Sequence, residues 1–478
     1  MKFLSTLKYV IILLISLSLY NCKKSENIPA DLEINNFVWK GLNAFYLWQD
    51  QVPDLADTKF SSQGQLNTFL SGYDTPNGLF YSLLYQYPNV DKYSWIVDDY
   101  VALENSLQGV NVTNGMEFGL VRYDDTPSNL FGYVRYVVPG SDADTKGVTR
   151  GLIFNQVDGV QLTETNYRVL LFSSSLSYTI TIADYNGGNP QNTNNTITLD
   201  KAEIAENPIA VVNTFDEGVN KIGYIMYNQF ASAYDGQLNS AFSTLAGQGI
   251  TDLIVDLRYN SGGSVRTATY LGQMITGQFT GQLFSKEVWN SKVTSSISNP
   301  SFFENNFTSQ INNGQISEAI NSLNLTRVYF ITSGATASAS ELVMNGLSPY
   351  IDVYSVGVTT EGKQVGSVTL YDSDDFTRAG ANPNHTWAMQ PLVLEIQNKN
   401  GENQPNGIAP NIQFQESYGN LGVLGDRNEP LLDRTITYIL TGARSSDRTF
   451  DDIFSQEISN SKLFTPAKNN MFTELKKK

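Results

Sequence analysis

Three short segments carry residues suited to chemistry at an anion. Asp256-Leu257-Arg258-Tyr259-Asn260-Ser261-Gly262-Gly263 runs from an apolar stretch into a Gly-Gly turn. Such a turn presents free backbone N–H groups. Gly334-Ala335-Thr336-Ala337-Ser338-Ala339-Ser340-Glu341 passes through small residues into a helix pattern, and small residues let a ligand approach the backbone. Ser338 and Ser340 stand at the helix start, where a serine ordinarily serves as an N-cap. Gly362-Lys363-Gln364-Val365-Gly366-Ser367 sets one lysine between glycines, the usual setting of an exposed turn lysine.

The choice of catalytic base is narrow. The chain has 478 residues but one histidine, His385, and one cysteine, Cys22. Zinc sites built from several Cys and His ligands are excluded, as is an intramolecular disulfide. A hydrolase built from this chain must use His385, a carboxylate pair or a lysine as its base. His385 follows Asn382-Pro383-Asn384 and reads as a turn residue beside a strand. No metal, nucleotide or other cofactor site is expected. Lys+Arg is 31 against Asp+Glu 47, a net charge of −16. That balance repels phosphate backbones, so nucleic acid is not an expected partner.

The elements that must position these segments are of several kinds. Leu253–Leu257 and Val328–Thr332 are apolar runs of the type buried in a parallel sheet. Lys221–Tyr227 reads as a strand and Gly236–Gly247 as a helix, so this part of the chain is α/β. Val38, Leu42, Phe45 and Trp48 recur at helical spacing, and 36–107 reads as mostly helical. Phe118–Tyr123, Gly132–Val138 and Ser177–Ala183 alternate as strands. Between them Ser141–Gly147 reads as a short capped helix, and Asp158-Gly159 as a tight turn. Asn186–Thr196 reads as a polar loop, and 446–478 as a loosely held polar tail.

The N-terminus reads as an address. Lys2 and Lys8 precede an apolar run, Tyr9–Tyr20, too short to span a membrane and of signal-peptide form. Leu19-Tyr20-Asn21-Cys22 resembles a bacterial lipoprotein signal, which implies acylation of Cys22 and a lipid anchor in the outer membrane, periplasmic or surface-exposed.

Strands, short helix and turn together make 108–205 resemble a PDZ domain. That resemblance implies capture of extended peptides by strand addition, with Phe118, Gly119 and Leu120 at the carboxylate-binding loop. The three chemistry-bearing segments together resemble the C-terminal processing peptidases, or tail-specific proteases, and in particular their Bacteroidetes branch. The family pairs an Asp-Leu-Arg-x-Asn-x-Gly-Gly strand end with a serine in Ser-Ala-Ser-Glu and a lysine 25 residues later. Here Ser338 and Lys363 are 25 apart. Gly407-Ile408-Ala409-Pro410 and Leu424-Gly425-Asp426 extend the likeness, which covers roughly 36–442.

The resemblance implies a crotonase/ClpP-like α/β protease core with a preceding or inserted PDZ-like domain, in a multi-domain α+β chain. The expected organisation is signal peptide 1–21, tether 22–35, helical domain 36–107, PDZ-like domain 108–205, peptidase core 206–445 and tail 446–478. Ser338 is the implied nucleophile and Lys363 its base, with protein or peptide as substrate. Free lysine has a pKa of about 10.4. Lys363 must therefore be buried to serve as a base. The oxyanion hole falls to the backbone N–H of Ala339 and of Gly262 or Gly263. The family often orients its lysine with a Gln four residues on; Ser367 stands there, leaving the role to its hydroxyl or to another side chain. Asp256 and Arg258 are expected to hold the Gly-Gly turn. The alternative function is a non-catalytic, PDZ-containing peptide-binding lipoprotein on the same scaffold, and a third is a crotonase-like enzyme acting on small acyl substrates.

Overall fold

The structure, a computed structural model, describes residues 28–442, 457–467 and 470–475. The expected signal segment and Cys22 lie outside the described residues. Among those described, no helix is long and apolar enough to cross a membrane.

A six-stranded sheet organises a multi-domain α+β molecule. Its strands are Ile209–Glu217, Asn220–Tyr227, Asp252–Asp256, Arg327–Thr332, Asp352–Gly357 and Ile412–Gln413, in that spatial order. The first pair is antiparallel and every later pair parallel. Parallel neighbours need crossovers, and helices Asp235–Gln248 and Ala339–Leu347 supply two of them. The apolar runs split by alternation. Leu253, Val255, Val328 and Phe330 join one core with residues of helices Asp235–Gln248, Val265–Thr276 and Ala339–Leu347. Ile254, Tyr329 and Ile331 join another with Leu432 and Ile436 of helix Pro430–Thr441. Helix Glu33–Phe45 buries Phe37, Val38 and Leu42 in the first core, while Trp48 lies beyond its end.

A second six-stranded sheet lies against the same helices. Its order is Gly263–Ser264, Met471–Phe472, Val365–Ser367, Leu392–Gln397, Leu283–Trp289, Glu304–Asn306. A third carries Met116–Arg122, Leu130–Val137, Ile153–Val157, Ser177–Asp184 and Gln191–Asp200. Phe118, Leu120, Tyr167 and Leu171 form part of its core, with helix Tyr167–Phe172 along one side. Ser141 Oγ accepts from Asp144 N–H at 3.3 Å and caps the short helix Asp142–Thr145. Asp158 and Gly159 both have positive φ, 50° and 76°, as a two-residue hairpin of the I′ kind requires.

Three expectations are corrected. Residues 191–196 of the expected polar loop 186–196 belong instead to strand Gln191–Asp200, paired with Ser177–Asp184; most of the strand's residues are exposed, so it lacks the apolar alternation that marks a half-buried strand. Phe118, Gly119 and Leu120 lie inside a strand rather than a loop. Where the expected loose tail is described it is tied down: Glu457–Asn460 pairs with Gly119–Val121, and Met471–Phe472 sits between Gly263–Ser264 and Val365–Ser367.

Candidate active site

The site forms where two central strands end. Asp252–Asp256 leads into the Gly-Gly turn, and Arg327–Thr332 into the segment carrying Ser338. Carboxyl ends of parallel strands are the usual place for ligands in such sheets. Thr336 Oγ1 donates to Leu257 C=O at 2.9 Å and Ala337 N–H to Asn260 C=O at 3.2 Å, tying the two loops together.

Ser338 turns the chain into helix Ala339–Leu347 with φ 67° and ψ −117°. A non-glycine residue in this region stores about 1–3 kcal/mol and persists only where its surroundings impose it. Among the described residues its buried Oγ donates to no acceptor, while the Glu341 N–H faces it in a capping-box arrangement. Ser340 is different: its hydroxyl donates to Asn260 C=O at 3.0 Å. The two serines at the helix start thus separate into a structural one and one with an uncommitted hydroxyl. Ala339 is the first helical residue, so its N–H has no intrahelical acceptor.

Lys363 is 0 % exposed, not the surface turn lysine its glycine neighbours suggest. Burial brings its pKa down to about 7, against Asp91, Glu341 and Glu361, whose charges favour the ammonium. The lysine Nζ lies 5.0 Å from the centre of the Tyr93 ring, and Tyr93 O–H donates to Glu361 Oε1 at 3.0 Å. The N-terminal region therefore completes the lysine pocket, with Asp91 held by Tyr46 O–H at 2.8 Å and by Ser94 Oγ at 2.6 Å.

Glu341 joins Ser338 and Lys363. Its Oε2 accepts from Ser338 N–H at 2.8 Å and from Lys363 N–H at 2.9 Å. Its Oε1 accepts from Gly362 N–H at 2.7 Å and from Thr360 Oγ1 at 2.5 Å. One oxygen thus fixes the amides of residues 338 and 363 beside each other. Burial pushes the Glu341 carboxyl up and the hydrogen bonds from Thr360, Ser338, Gly362 and Lys363 pull it down, with burial the larger effect. Glu341 entered the sequence reading only as the last letter of Ser-Ala-Ser-Glu.

The Gly-Gly turn packs directly on the serine. A Cβ on Gly262 would lie 2.6 Å from Ser338 Cβ and 2.8 Å from Ser338 Oγ. With φ of 113° and 138°, Gly262 and Gly263 hold backbone shapes other residues rarely adopt. Gly262 N–H donates to Asn260 Oδ1 at 2.9 Å, so this expected oxyanion donor is already engaged. Ser367 Oγ lies 2.6 Å from Gln390 Oε1 and 2.9 Å from Asn470 Oδ1, and its single proton serves one of these amides.

Asp256 and Arg258 sit in a wider charge network that sequence reasoning missed. Arg258 donates to both Asp256 oxygens, to Glu416 at 2.9 Å and to Glu429 at 2.7 and 3.0 Å. Burial pushes the Glu416 carboxyl up, but Arg150 and Arg258 outweigh it and bring the value down to about 2. Glu429 also caps helix Pro430–Thr441. No periodicity marks Glu416 or Glu429 in the sequence. Arg258→Met strips three buried carboxylate groups of a shared cation and should destabilise the fold by about 3–5 kcal/mol. Urea titration followed by circular dichroism measures this; a change below about 1 kcal/mol would assign the network no structural role.

Among the described residues His385 bonds only nearby positions. Nε2 lies 3.1 Å from Asp372 Oδ2, and Nδ1 accepts from Trp387 N–H at 3.1 Å. Among the described residues no cluster of three or more His, Cys, Asp or Glu is placed to hold a metal ion.

Residues 221–414 match Peptidase family S41, and residues 33–95 match the Peptidase S41 N-terminal domain; together they span more than half of the chain. No curated protein matches. A Bacteroides fragilis crystal structure described as a candidate S41 protease superposes with a TM-score of 0.64 at 22% identity, covering 85% of this chain and 97% of that one. The photosystem II D1 C-terminal processing protease superposes with a TM-score of 0.49 at 17% identity, covering 85% and 100%.

Proposed function

The chain is a serine peptidase of family S41, and we propose that it is a cell-envelope endopeptidase working through a Ser338–Lys363 dyad. The observation that carries this reading is the pairing of an uncommitted, strained serine with a fully buried lysine through one carboxylate oxygen. In the proposed mechanism the neutral Lys363 amine takes the Ser338 proton as Oγ attacks the scissile carbonyl carbon. The oxyanion forms at the start of helix Ala339–Leu347, where the Ala339 N–H and the helix dipole favour negative charge. Gly263 N–H is the second proposed donor. The C–N bond then breaks, Lys363 returns its proton to the leaving amine, and water releases the acyl group by the same route.

Protein or peptide substrates are proposed to engage near their C-termini by adding a strand to the 108–205 region, read as PDZ-like. Anchoring through an acylated Cys22 places the activity in the cell envelope. Mass spectrometry of the mature N-terminus tests the anchor, and an unmodified terminus elsewhere in the chain removes it.

A base with a pKa of about 7 sets the pH dependence. Lys363 is active when neutral, so kcat/KM should rise with pH through about 7 and level off above it. The measurement is initial-rate cleavage of an unfolded protein between about pH 5.5 and 9. A profile flat across that range sinks lysine as the base.

A further inference from the structure

The catalytic pair is closed off. Ser338 and Lys363 are both 0 % exposed, so an extended peptide has no route to them as the chain stands. What covers them includes the chain's own C-terminal part, which engages the molecule at two places.

The first is the groove beside Met116–Arg122. Glu457–Asn460 adds to this strand antiparallel, with Glu457 opposite Val121 and Asn460 opposite Gly119. The groove is built for it. Arg135 is 2 % exposed, and Glu457 is its only carboxylate partner within 4 Å among the described residues, at 2.5 Å. Tyr133 O–H donates to the same carboxylate at 2.5 Å. A Cβ on Gly119 would lie 2.4 Å from Glu457 Oε2, so the glycine leaves room for that side chain. Ser461 Oγ receives Phe118 N–H at 3.0 Å and donates to Glu117 Oε2 at 2.6 Å. Phe464 stacks on Phe172 with ring centres 3.7 Å apart and planes 10° apart.

The second is the catalytic turn. Met471–Phe472 pairs in parallel with Gly263–Ser264 on one side, and Phe472 with Ser367 on the other. Gly262 C=O and Ser264 N–H both bond Phe230, at 2.9 Å each. Backbone directions alternate along an extended segment, so the Gly263 N–H faces the opposite neighbour, where the Asn470 carbonyl lies. A Cβ on Gly262 would be 2.5 Å from that carbonyl oxygen and 2.8 Å from Ser338 Oγ, so these two oxygens are neighbours across the glycine.

We propose that the groove between Met116–Arg122 and Tyr167–Phe172 is an acceptor site for an internal peptide strand carrying a glutamate and, seven residues on, an aromatic ring. Its resident ligand is this chain's own 457–464, and its occupation holds 470–473 over Ser338 as an inhibitory plug. The groove assignment stands on its own geometry, while the inhibition rests on the peptidase reading. Binding within one chain outcompetes a free peptide at micromolar concentration, so the closed state is the resting state.

The test uses the full chain with Phe464→Ala and with Glu457→Gln/Phe464→Ala, both checked for an unchanged thermal melt. The probe is a fluorescein-labelled synthetic peptide of residues 456–466, with binding measured in the Ser338→Ala background to prevent digestion. The double variant should bind the probe at least about tenfold more tightly than its parent and cleave an unfolded protein about tenfold faster. If the melt of the double variant falls, the single variant carries the same comparison. A folded variant that gains neither binding nor rate overturns the plug and leaves the peptidase reading intact. A variant that gains binding while neither protein cleaves any substrate upholds the groove and removes the peptidase reading. A wild-type chain found cut after Asn470 also overturns the plug, since the segment would then be a substrate.

Discussion

Ser338→Ala and Lys363→Ala should each lower kcat/KM toward an unfolded protein by roughly 10⁴-fold or more, and the double variant should be no worse than either. In the proposed dyad the two side chains share one proton transfer and one bond formation, so removing either ends both. Lys363→Arg should be as inactive as Lys363→Ala, because a guanidinium does not give up its proton near neutral pH. This separates a base from a mere positive charge, since arginine would preserve the latter. Residual turnover would come from oxyanion donors and binding alone. Wild-type rates in either alanine variant would place the chemistry elsewhere.

Glu341→Ala should be nearly as damaging, by another route. The carboxylate meets four donors, three of them backbone N–H groups. Deletion leaves these buried donors unpaired at about 1–3 kcal/mol each and frees Ser338 from the bond that helps impose its strained backbone. Stability should fall by several kcal/mol, and activity with it. Glu341→Gln is the informative variant. Its amide oxygen can keep the Ser338 and Lys363 N–H bonds, while its NH2 faces Thr360, whose hydroxyl can turn to accept, and Gly362, whose N–H cannot. It should retain more stability than Glu341→Ala. Glu341 favours the charged form of Lys363, so removing its charge should move the rising limb of the pH profile to lower pH. A limb that stays in place or moves to higher pH contradicts a positioning role exerted through the lysine.

The motif segments were legible because each joins a distinctive composition to an element boundary. Leu253–Val255 and Val328–Ile331 announce buried parallel strands, and the turns that follow carry Gly262, Gly263 and Ser338. What escaped the sequence depends on tertiary placement. Lys363 reads as exposed until Asp91 and Tyr93, about 270 residues earlier in the chain, are packed against it. Glu416 and Glu429 lie in irregular chain and acquire meaning only when Arg258 arrives between them. The polar run Glu457–Asn460 and the two-residue Met471–Phe472 are too short to announce strands by themselves; strand edges already present in the fold make them so.

The bond shared by residues 338 and 363 has a consequence for how the protein comes into being. Ser338 follows strand Arg327–Thr332, and Lys363 follows Asp352–Gly357. Glu341 sits on the helix that Ser338 opens, so the serine meets it locally, whereas Lys363 reaches it only after those strands have paired and the helix has docked. The complete arrangement of Ser338, Glu341 and Lys363 therefore exists only once that tertiary packing is in place. Under the proposed mechanism a nascent chain, which is itself an unfolded polypeptide, would thereby be spared its own nucleophile until it no longer resembles prey.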